Sequence, residues 1–88
     1  MPTISFFYGI AIRMYSNDHQ PPHFHAIYGG FEAQVAISSG ELIKGSLPPN
    51  ARRLVREWVE QNRAALEGNW QRARRDMSLE RIHGLDSE

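Results

Sequence analysis

The chain has no cysteine and no net charge, its ten basic side chains balancing ten acidic ones over 88 residues. Without cysteine there is no disulfide framework, no thiolate nucleophile and no cysteine-ligated zinc, and a reducing, cytoplasmic setting is the expectation. Without excess positive charge, wholesale polyanion binding is disfavoured, since such domains run to a pI above about 9. A membrane span needs about 20 apolar residues. The stretch Ile4–Met14 is broken by Ser5, Gly9 and Arg13, and Met1-Pro2-Thr3 lacks the charged start of a signal peptide, so no membrane partner is expected. Internal repeats, a phosphate-cradling glycine loop, a nucleophile elbow and a helical His-Glu-x-x-His motif are also missing.

What is present suits one small domain, residues 1–88. A chain this short withdraws only roughly 60–65% of its unfolded surface from water. Its 41% of hydrophobic residues favours a core over disorder. The neutrality is local cancellation. Residues 1–50 balance at −1 (Arg13 and Lys44 against Asp18, Glu32 and Glu41). Residues 51–75 balance at +4 (seven arginines against Glu57, Glu60 and Glu67), and residues 76–88 at −3 (Arg81 against Asp76, Glu80, Asp86 and Glu88).

Periodicity divides the chain in two. Ile10, Ile12 and Met14 alternate along one strand face. Ser16–Pro22 reads as a loop, with a turn at Asn17-Asp18 and two prolines that cannot donate to a ladder. His23–Tyr28 and Phe31–Ser38 flank Gly29-Gly30, a hairpin signal. A tight turn there sets Tyr28 opposite Phe31, Ala26 opposite Ala33 and Phe24 opposite Val35, the expected buried face. The other face collects His23, His25, Ile27, Glu32, Gln34 and Ala36, with Glu32 diagonal to His25. Ser39-Gly40 turns into a short strand, Glu41–Lys44.

After Pro48-Pro49 the period becomes three to four. Ala51, Leu54, Val55, Trp58, Val59, Asn62, Leu66, Trp70, Ala73 and Met77 mark one face of a helix or of two abutting helices, with a bend expected in Asn62–Gly68. Leu79–Ile82 is a short edge strand or a tail packed on the sheet. The expectation is an α+β domain: a small antiparallel sheet of three or four strands (about 4–46), packed on one face by a C-terminal helical segment (about 49–76), with a strand or tail over 77–88.

Chemistry would sit on the histidines. His23 and His25 project from one strand face, and His19 on the preceding loop can fold back toward them. With Glu32 or Asp18 these make a candidate zinc site, which wants three or four such ligands. The same His23, His25 and His19 are candidate catalytic groups, since two imidazoles can divide the acid and base roles of RNA phosphodiester cleavage. The third reading is the solvated face of a sheet. Arg52, Arg53, Arg56, Arg63, Arg72, Arg74 and Arg75 are candidate binding residues for phosphates or an acidic partner. Against that, Arg53–Glu57, Arg56–Glu60, Arg63–Glu67 and Arg72–Asp76 have the i,i+4 spacing of a solvated helix face. Trp58 and Trp70 fall on the apolar stripe and read as core.

Met1-Pro2-Thr3-Ile4-Ser5, Phe7-Tyr8-Gly9-Ile10, Asp18-His19, Pro21-Pro22-His23-Phe24-His25, Tyr28-Gly29, Gly45-Ser46-Leu47-Pro48, Trp58 and Asn69-Trp70 together resemble a short prokaryotic family, the domain-of-unknown-function family 4160. The resemblance runs to about Ile82, and Pro-Pro-His-Phe-His is its most specific part. It implies a small cytoplasmic α+β protein whose gene often neighbours that of another small protein, as in toxin–antitoxin pairs. It supplies no activity, cofactor or catalytic residue. Phe6 departs from the family, which often has a polar or charged residue there. The leading expectation is a partner-binding component of a toxin–antitoxin-like pair, its partner a small protein encoded nearby. A ribonuclease-like toxin and a metal-binding module are the alternatives. A homodimer covering the wet sheet face stays open, and RNA remains a partner that is not favoured.

Overall fold

A computed structural model of the chain describes residues 3–16 and 19–86. Five strands come first: β1 (Thr3–Phe7), β2 (Ile10–Arg13), β3 (His23–Tyr28), β4 (Phe31–Ala36) and β5 (Leu42–Gly45), followed by one helix, α1 (Pro49–Arg74). The strands form a single antiparallel sheet in the order β1-β2-β3-β4-β5. The α+β class and the one-sided helical cover are as expected, and the sheet has five strands rather than three or four. The extra strand is β1. Its pairing shifts between Thr3 and Ser5, so Ile4 and Ser5 are both buried and the period-2 signal is lost.

The hairpin pairs as its two-glycine turn dictates, from Tyr28↔Phe31 to Phe24↔Val35 and His23↔Ala36. Ser5, Ile12, Ala26 and Ala33 form one row on the helix side and are buried. Phe7, Phe24, Val35 and Ile37 extend this face. Tyr28 and Phe31, expected in the core, are 37% and 45% exposed. They have the core parity but lie at the hairpin tip, beyond the cover of the helix.

The helix buries Ala51, Val55, Trp58, Val59, Leu66, Trp70 and Ala73 against the sheet. Trp58 anchors it: its ring lies 5.2 Å from that of Phe7 and meets Phe24 edge-on at 5.6 Å. The helix bends at Asn62 (φ −129°, ψ 20°), at the start of the expected stretch. The Asn62 Nδ2 donates to the Trp58 carbonyl at 2.9 Å, a side chain entering the helical ladder where it breaks. Gly68 remains helical.

The segment after α1 is a tail, not a strand. Ile82 N–H donates to the Ile4 carbonyl at 2.8 Å and Arg81 donates to the Thr3 carbonyl at 3.1 Å, so the tail covers the outer edge of β1. Asn69, 2% exposed, holds the tail by bonding both backbone groups of Glu80. The Trp58 indole donates to the His83 carbonyl at 2.8 Å. At Gly84 the tail runs so close to β1 that a Cβ would stand 2.7 Å from Phe7 Cβ.

Candidate functional site

Among the described residues no helix lies on the sheet face away from α1, and Tyr15 and His19 gather at its His25 end. Its centre is a row that crosses all five strands: Thr3, Arg13, His25, Gln34 and Lys44 are consecutive register partners. Beside it runs Phe6–Ala11–Ile27–Glu32. Neighbouring strands stand about 4.8 Å apart, so Arg13 and Lys44 are separated by roughly 14 Å. Phe6 is 57% exposed, so the position is a surface site carrying an aromatic ring.

The three candidate histidines come together. The His19 and His23 rings are 5.8 Å apart and the His23 and His25 rings 5.5 Å, and Tyr15 meets His25 edge-on at 4.4 Å. His25 Nδ1 donates to Glu32 Oε2 at 3.3 Å, the diagonal pair expected from the hairpin register. In a neutral His25 ring this puts the lone pair on Nε2. His25 is nevertheless largely enclosed, its side chain 12% exposed against 59% for Glu32.

His23 departs from the expected wet face. It is 1% exposed, with the Trp70 ring 5.4 Å from its own. As the first residue of β3 it lies where the second half of α1 reaches the sheet, and Trp70 covers it. Its Nδ1 donates to the Pro21 carbonyl at 2.7 Å, which in a neutral ring puts the lone pair on Nε2. That is the state a metal ligand or a base requires, but burial keeps His23 from touching a macromolecular substrate. Among the described residues no three His, Cys, Asp or Glu side chains converge as metal ligands do. Asp18, the other candidate carboxylate, and Asn17 lie outside the described residues.

The candidate arginines do not form one surface. Arg52, Arg53 and Arg56 line a pocket of about 200 Å³ with Gly40, Glu41, Leu42 and Pro49. Arg53 pairs with Glu57 at 2.8 Å as its spacing predicts, whereas Arg56 reaches across to Glu41 at 2.9 Å. Arg63 donates to the Ile37 carbonyl and ties the helix to the sheet. Arg72 turns to Ser78 and Glu80 in the tail. Arg74 and Arg75 are exposed at the far end of the helix. Three of the four expected i,i+4 lacings are therefore replaced by contacts to the sheet or tail. Residue spacing cannot reveal these, because it knows only the helix.

Two residues of the open face were not singled out in sequence: Arg13, and Tyr15 against His25. Arg13 was legible as the outward position of the Ile10–Met14 alternation. Its place beside His25 follows only from the β2–β3 register, which the long loop between those strands leaves open.

Fold and site together define a small α+β protein with a one-sided helical cover and a histidine-centred open face. Residues 9–71 match the family model described as Domain of unknown function (DUF4160), and the chain belongs to that family. Neither the curated proteins nor the solved structures compared contain a match to the chain. Among the described residues no helix is long and apolar enough to cross a membrane.

Proposed function

We propose that the protein is the partner-binding component of a two-protein, toxin–antitoxin-like pair, and that it docks a small protein encoded nearby on the face of its sheet away from the helix. The observation that carries this reading is a five-stranded sheet whose one helix packs on one side, with Phe6 57% exposed on the other. Ala11 and Ile27 continue Phe6 across the face, and Ala36 lies beyond the central row. An aromatic ring set among half-buried apolar side chains and rimmed by charge has the composition of an interface core with its rim. The row across this face carries Arg13 and Lys44, and Glu32 is bonded to His25, so the fitting partner surface is apolar with acidic groups at its margin. Co-expression with the product of the adjacent gene should give a co-eluting complex. Phe6→Asp should weaken it by roughly tenfold or more without changing the melting temperature appreciably. Two separately eluting proteins would remove the reading.

The hydrogen bond from His25 to Glu32 supports a second reading, a ribonuclease-like toxin. There a carboxylate-oriented His25 acts as base, and exposed His19 is a proton donor on the other side of buried His23. Expression of the wild type should then degrade cellular RNA and slow growth, and His25→Ala should abolish both effects. Intact RNA with wild-type protein would end it.

A further inference from the structure

A half-buried cation on the open face, Arg13, has no counter-ion among the described residues. Arg13 lies between Thr3 of β1 and His25 of β3 in the row that crosses the sheet. Its Nε is shut off from water and has no hydrogen-bond acceptor. Arg13 takes part in none of the ion pairs among the described residues, and Glu32, the carboxylate that β4 places on this face, is engaged by His25. Native structures seldom leave a buried donor unanswered.

The geometry points to Arg13 as the anchor for a carboxylate supplied from outside, the side chain of an aspartate or glutamate on a protein partner. This rests on the reading of the open face as the docking surface and names the group that the partner must bring. Three features favour it. The Arg13 side chain is closed to solvent at its Nε, so holding the guanidinium for binding loses little further freedom. Phe6, Ala11 and Ile27 lie in the adjacent row and would exclude water from the pair, strengthening a charge-assisted hydrogen bond. Arg81 is bound to the Thr3 carbonyl at the β1 edge and Lys44 lies roughly 14 Å away, so within the row Arg13 offers a single guanidinium fork, which matches one carboxylate.

The test uses the protein alone, with acetate as the probe and chloride at equal ionic strength as control. In a ¹⁵N spectrum the Arg13 Nε–H signal should move saturably with acetate, while those of exposed Arg52 and Arg74 do not. Arg13→Lys should lose the saturable response. Arg13→Met, which keeps an apolar stem and removes the charge, should raise the melting temperature by a few degrees. The inference is overturned by a response no larger than that to chloride, by equal movement at Arg52 and Arg74, or by a lower melting temperature in Arg13→Met. Phosphate saturating at a tenfold lower concentration than acetate would overturn the carboxylate assignment. Failure here leaves the docking reading standing, since that falls only if the adjacent gene's product does not co-elute.

Discussion

Asn69 and Glu80 are joined by two hydrogen bonds, Asn69 Nδ2 to the Glu80 carbonyl at 2.8 Å and Glu80 N–H to Asn69 Oδ1 at 2.9 Å. One buried side-chain amide thus does for the tail what a neighbouring strand would do. Asn69→Ala should cost about 2–3 kcal/mol in denaturant unfolding, because it orphans both backbone groups. The amide protons of Glu80 and Ile82 should exchange faster. Unchanged exchange at both would mean that the tail is held by something else.

Trp58 ties three parts of the molecule together through Phe7, Phe24 and the His83 carbonyl. Trp58→Phe keeps much of the packing and loses the hydrogen bond, so it should cost about 1–3 kcal/mol. Trp58→Ala should cost about 3–5 kcal/mol. For a domain of this length the whole folding stability is about 4–13 kcal/mol. Circular dichroism melts of the two variants check the order, and equal melting temperatures would refute it.

Gly84 and Gly30 should respond oppositely to alanine. At Gly84 the new Cβ would meet Phe7 Cβ at 2.7 Å and the Phe6 carbonyl oxygen at 2.9 Å, whereas at Gly30 nothing lies within 4 Å. Gly84→Ala should destabilise by about 1–3 kcal/mol as the tail lifts from β1. Gly30→Ala should stay within about 0.5 kcal/mol. Urea midpoints of the two variants decide the matter.

His23 and His25 should separate by role. His23→Ala removes a buried ring from beneath Trp70 and leaves the Pro21 carbonyl without its donor. It should cost about 2–4 kcal/mol and shift Trp70 fluorescence to the red. His25→Ala loses a hydrogen bond whose carboxylate side is exposed, and should cost about 1 kcal/mol or less. Equal losses of stability would show that the open face, too, is structural.

These residues also show how far sequence reasoning reaches. The hairpin was legible down to each pair, because a two-residue turn and a buried face together admit a single register. The tryptophans were legible as core because both fall on the helical stripe, and both are buried. The His25–Glu32 contact followed from the same register. Three things were not legible, each for want of distant information. β1 hides behind its bulge, which breaks the alternation that would announce a strand. His23 has the parity of the wet face but is buried by a tryptophan far along the chain. Asn69 looks like any polar residue on a helix until the tail it clamps is in place.

The two margins of the sheet have a consequence for assembly. The tail occupies the β1 edge. The opposite edge, β5, is four residues long, shifts register between Gln34 and Val35, and presents Lys44, all of which discourage a further strand from adding there. A protein built this way gains little by extending its ladder into another chain. If the proposed partner docks on the face away from the helix, it does so by stacking, and its recognition depends on side chains rather than on backbone groups that any strand could match.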